Sequence, residues 1–99
     1  MKRFAKVEYE ACWVYPDGER SDVFCSGTLS EVKAESKLRT QDDLDTIHIY
    51  KECYVINEDW RKWGNKYDKY IYADSILVGK VEHGKFHSHT YQRISIDIR

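Results

Sequence analysis

Phe86-His87-Ser88-His89-Thr90-Tyr91-Gln92-Arg93-Ile94-Ser95-Ile96-Asp97-Ile98 is the stretch on which the reading of this chain turns. Its even positions hold Phe86, Ile94, Ile96 and Ile98, with Ser88, Thr90 and Gln92 between them. Its odd positions hold His87, His89, Tyr91, Arg93, Ser95 and Asp97. A period of two sends the two sets to opposite faces of a strand. The aliphatic set faces a core. The odd set forms a row of donors, acceptors and titratable groups, which is a candidate working surface.

Working back from this stretch, His83-Gly84 is a tight-turn candidate, so the terminal strand returns antiparallel on its predecessor. Residues Ile76 to Glu82 are nearly all apolar and read as a central strand; Lys69 to Ala73 read as a separate one. Thr46 to Ile56 alternates clearly, with Ile47, Ile49, Cys53 and Val55 on one side and His48, Tyr50, Glu52 and Tyr54 on the other. Between these, Asn57 caps a single helical turn over Glu58 to Trp63, or Gly64-Asn65 turns a long hairpin.

The first half carries a hairpin and a helix. A strand from Phe4 to Tyr15 has Ala5, Val7, Tyr9, Ala11, Trp13 and Tyr15 on its apolar face, and Lys6, Glu8 and Glu10 on the other. Pro16-Asp17-Gly18 supplies turn chemistry, and a second strand follows over Glu19 to Ser26, with Val23 and Cys25 inward. Thr28-Leu29-Ser30-Glu31 has the pattern of a capping box, which predicts a helix over Leu29 to Leu38. Its apolar stripe is weak, because Leu29 and Val32 share a side but Ala34 and Leu38 do not.

The pattern predicts one α+β domain over residues 1–99. It has a mainly antiparallel sheet in the order β-β-α-β-(short α)-β-β-β, with one main helix on one face. The expected core is Val7, Trp13, Val23, Ile47, Ile49, Val55, Leu77, Val78, Ile94 and Ile96. Ninety-nine residues suffice for one modest core and not for two.

The charge balance narrows the function classes. Sixteen basic against 17 acidic side chains leave a net charge of -1, which argues against a strongly basic nucleic-acid binder and against an acidic DNA mimic. Cys12, Cys25 and Cys53 are odd in number and form no CxxC pair, which suits a reducing compartment and free thiols. Charges follow Met1-Lys2-Arg3-Phe4 too soon for a signal peptide, and no apolar run reaches membrane-span length. The expectation is a cytoplasmic protein without membrane association.

Three functional readings follow. The leading one is a non-catalytic interaction protein that binds, and modulates or inhibits, a protein partner. Small chains poor in motifs often serve as accessory or phage-type inhibitory proteins, an analogy of kind. The binding residues would be His87, His89, Tyr91 and Arg93, joined by Tyr50 and Tyr54, because tyrosine and arginine are enriched in interfaces. His89 and Arg93 lie about 13 Å apart along a strand, which makes a patch and not a pocket. A homodimer through an exposed sheet edge is a variant of this reading.

The alternative is a single-stranded nucleic-acid module. Trp60, Arg61, Lys62, Trp63 and Lys66 interleave cations with stacking platforms, although Glu8, Glu10 and Glu52 would share the sheet face with any such ligand. The second alternative is a histidine-dependent metal site or hydrolase. His87 and His89 project from one face and His48 or a carboxylate would complete a ligand set. Ligands at metal-site spacing, a glycine-rich phosphate loop, a nucleophile elbow and a catalytic cysteine signature are all missing, so the sequence predicts no cofactor, metal or catalytic residue.

Overall fold

The computed structural model describes residues 4–42, 44–58 and 69–89. Within them the chain forms β1 (Lys6–Val14), β2 (Cys25–Gly27), α1 (Leu29–Arg39), β3 (Thr46–Ile56), β4 (Tyr70–Glu82) and β5 (Lys85–Ser88). The strands make one antiparallel sheet in the order β2-β1-β3-β4-β5, and α1 packs on one face of it. This is the expected α+β architecture. Among the described residues no helix is long and apolar enough to cross a membrane.

The helix starts where the capping box places it. Thr28 Oγ1 accepts from the Glu31 amide at 3.2 Å, and Glu31 Oε1 accepts from the Thr28 amide at 3.0 Å. Such a cap stabilises by about 0.5–2 kcal/mol. At the other end Thr40 is fully buried. Its Oγ1 donates to the Ser36 carbonyl at 2.9 Å and accepts from the Gly84 amide at 3.0 Å. The helix end is thereby tied to the β4–β5 turn. That turn has positive φ at both His83 (50°) and Gly84 (77°), the twist that suits a two-residue hairpin.

The core lies between α1 and the middle of the sheet. Ala11, Val32, Ile47, Ile49 and Val81 are fully buried, and Tyr9, Trp13, Phe24, Leu29, Val78 and Phe86 pack around them. Register explains the grouping. Trp13 pairs with Ile47, which pairs with Val81, which pairs with Phe86; Ala11 pairs with Ile49, which pairs with Gly79. These rows face the helix.

Several expectations are corrected. Val7 is 41% exposed and Val23 50% exposed. An 11-residue helix is about 16 Å long and an 11-residue strand about 36 Å, so α1 covers only part of the sheet. Val7, opposite Cys53, lies toward the uncovered end. The second strand is shorter than expected. The Trp13 amide donates to Ser21 Oγ at 2.9 Å in place of a ladder carbonyl, and the next backbone bond runs from Phe24 to Ala11. Asp22 and Val23 bow out between these contacts, and regular pairing resumes at Cys25.

The two strands expected at 69–73 and 76–82 are one continuous β4. Register shifts opposite Ile49/Tyr50 and Cys53/Tyr54 place one extra residue each, Val78 and Ala73, on β4. Two β-bulges absorb what the alternation reads as a break. Val55, Leu77, Val78 and Trp13 are half-buried. β5 ends at Ser88, short of the expected strand to Ile98; Ile94 and Ile96, the rest of that strand beyond His89 and the helical turn expected at Glu58 to Trp63 lie outside the described residues, apart from Glu58 itself.

Candidate functional site

The sheet face opposite α1 gathers polar side chains from four strands. Cross-strand register sets them in rows. Cys12, His48, Lys80 and His87 form one row, and Glu10, Tyr50 and Leu77 the next. Glu8, Glu52 and Ser75 follow, and Lys6, Tyr54 and Tyr72 close the series. Alternation on β3 fixes His48, Tyr50, Glu52 and Tyr54 to this side, as the sequence predicts. The bulges on β4 then decide its contribution: after Val78 the odd residues Leu77 and Ser75 face this way, and after Ala73 the even residue Tyr72 does.

One end of the face is imidazole-rich and basic. His48, Leu77, Lys80, His87, Ser88 and His89 line a shallow cleft of about 290 Å³. Burial holds the His48 pKa below the ordinary imidazole value, and the charges of Lys80, Arg20 and His89 push it the same way, with Glu82 opposing. Lys80 Nζ lies 3.4 Å from Glu82 Oε1. The Glu82 carboxyl is also desolvated, which works against ionisation, but a Thr46 hydroxyl bond and the Lys80 charge outweigh this and hold its pKa down. Three histidines thus share the cleft or its wall. Among the described residues, however, no group of three or more His, Cys, Asp or Glu side chains is arranged to hold a metal ion.

Tyrosines occupy the middle and the far corner. The Tyr50 hydroxyl accepts from Arg20 Nη1 at 2.9 Å, and the guanidinium carbon lies 5.4 Å from the ring centroid. His48 Nδ1 is 3.5 Å from the same hydroxyl, at the outer limit of a hydrogen bond. Tyr54 and Tyr72 meet edge to face at 5.8 Å, and Lys6 Nζ lies 5.2 Å from the Tyr54 ring. These contacts fix the rings at little conformational cost to a later binding event.

The middle of the face, between the imidazole row and the row of Lys6, Tyr54 and Tyr72, is acidic. Glu8 pairs directly with Glu52, and Glu10 lies one position along, opposite Tyr50. Burial raises the Glu10 pKa, and the charges of Glu52 and Glu8 raise it further. Glu52 is only 8% exposed; its Oε1 accepts from Ser75 Oγ at 2.7 Å. Its Oε2 is buried without a hydrogen-bond partner among the described residues. A wide cleft of about 990 Å³ extends from Glu10, Tyr50, Glu52, Tyr72 and Ser75 to the loop at Gly18–Val23.

The structure therefore brings Tyr50, Tyr54, His87 and His89 onto one face, together with His48. Tyr91 and Arg93 lie outside the described residues, as do Trp60, Arg61, Lys62, Trp63 and Lys66 of the alternative surface. Sequence reasoning missed Arg20, Tyr72, Ser75 and Lys80. Lys80 follows from pairing with His48, a register that alternation alone does not fix. The sequence pattern places Arg20 in a regular strand, whereas it makes an isolated bridge to Val14 and its guanidinium lies over Tyr50. All three cysteines are free thiols, raised in pKa by burial. No family model, curated protein or solved structure matches this chain.

Proposed function

We propose that this chain is a small non-catalytic interaction protein that binds, and modulates or inhibits, a protein partner through the sheet face opposite α1. The observation that carries the reading is the division of that face. Its rows run from an imidazole and lysine end at His48, Lys80 and His87, through glutamates at Glu10, Glu8 and Glu52 beside Tyr50, to an end formed by Lys6, Tyr54 and Tyr72. A surface with both signs of charge and aromatic rings among them suits a partner of complementary pattern. The same glutamates repel a phosphate backbone, which disfavours the nucleic-acid reading for this face.

The test is capture of partners from cytosol on the immobilised protein, with and without nuclease, followed by the same capture with Tyr50→Ala/His87→Ala. A protein retained through nuclease treatment and lost from the folded double variant supports the reading. Recovery of nucleic acid alone, or a protein held equally by wild type and variant, overturns it.

A further inference from the structure

We propose that the cleft floored by Glu52 and walled by Glu10 seats a lysine side chain of the protein partner. The inference rests on the protein-binding reading and names what one part of that face recognises. Three observations support it. First, Glu52 is 8% exposed, yet its Oε2 has no hydrogen-bond partner among the described residues. A buried carboxylate oxygen in that state is costly and calls for a donor. Second, Glu8 and Glu10 stand beside Glu52 and concentrate negative charge that, among the described residues, no ion pair relieves. Arg20, which lines the same cleft, donates a hydrogen bond to Tyr50, and Lys6 in the next row lies over the Tyr54 ring. Third, Tyr50 and Tyr72 line the same cleft, and their rings offer apolar surface to an alkyl stem.

The donor geometry selects lysine. Oε1 of Glu52 already accepts from Ser75, so the oxygen without a partner among the described residues is Oε2. A guanidinium fork needs two acceptors side by side for its bidentate mode. An ammonium group is compact and can point one donor at Glu52 Oε2 and another at Glu10. A bare metal ion is a poorer fit, because no three ligating side chains among the described residues are arranged around a common point.

The experiment is an NMR titration of the labelled protein with a blocked Gly-Lys-Gly peptide and with its acetyl-lysine counterpart. Wild type, Glu52→Gln and Glu10→Gln are compared, each checked for a native spectrum. The expected result is shifts at Glu10, Tyr50, Glu52 and Ser75 with the lysine peptide and none with the acetylated one. Each variant should weaken the response about tenfold or more, equivalent to about 1.4 kcal/mol. No shifts at these residues, equal shifts with acetyl-lysine, or unchanged affinity in both variants overturns the inference. So does tighter binding of an arginine peptide, spermidine or calcium. If a captured partner is held fully by Glu52→Gln but lost from Tyr50→Ala/His87→Ala, this inference fails and the protein-binding reading stands. If both retain it, the broader reading fails as well.

Discussion

Glu8 of β1 stands directly opposite Glu52 of β3. Like charges at that position repel, and directly opposed pairs shift stability by roughly 0.2–1 kcal/mol. Glu8→Gln should therefore raise stability by about that amount, and Glu8→Lys by at least as much, because it adds attraction to the loss of repulsion. Urea denaturation at neutral pH and low salt reads the difference. A loss of stability in both variants would mean that Glu8 is held favourably.

Ile49 and Val23 give opposite expectations, although the sequence places both in the core. Ile49 is fully buried under α1, so Ile49→Ala should cost about 2–5 kcal/mol. Val23 is half exposed, so Val23→Ala should stay within about 0.5 kcal/mol of wild type. Equal losses in chemical denaturation would show that the Ser21 to Phe24 segment is held as tightly as β3.

The contrast marks how far the sequence is readable. Strand β3 is legible to its ends, because Lys51 is the one break in its apolar series and its register with β1 is regular from Lys6 to Val14. The cap at Thr28 is legible because a local motif carries it. What escapes is anything set by hydrogen bonds between distant residues. Ser21 Oγ replaces a ladder acceptor and expels Val23. Bulges at Val78 and Ala73 twice reverse the parity of β4, so Tyr72 and Ser75 join the polar face without any local sign. The candidate site follows the same division. His48, Tyr50, Glu52 and Tyr54 are readable from period two, whereas Arg20 and Lys80 need the register. The unmet need of Glu52 Oε2 needs the packed structure.

His48 should make stability depend on pH in the mildly acidic range. Burial comes first among the causes that lower its pKa, followed by Lys80, Arg20 and His89, while Glu82 opposes them. With the native pKa below the unfolded value of about 6.5, the unfolded chain binds the proton more readily. Stability is then undiminished above about 6.5 and declines as pH falls from there toward the native pKa. His48→Gln should remove that part of the decline, so the variant gains on wild type as pH drops from 7.5 to 5.5. Paired denaturation curves at the two pH values measure it. A stability difference that does not change with pH would exclude proton linkage at this ring.

Gly79 and Phe86 form the tightest joint between β4 and β5. A Cβ at position 79 would stand 2.6 Å from ring carbons of Phe86 and 2.6 Å from the His87 carbonyl oxygen. The ring lies over the bare glycine backbone, on the side that faces α1, and Lys33 Nζ sits 4.2 Å from its centroid. Gly79→Ala therefore has two obstacles, a side chain that can rotate and a backbone atom that moves only with β5. It should cost about 1–3 kcal/mol. In a Phe86→Leu background the ring contact is gone but the carbonyl remains, so the same substitution should cost less without becoming neutral. The two changes are then coupled, as neighbours in contact are. Because β5 carries His87 opposite Lys80, its displacement should also shift the resonances of His48 and His87 together. A Gly79→Ala protein with unchanged stability and unmoved histidine resonances would mean that β5 does not depend on this close approach.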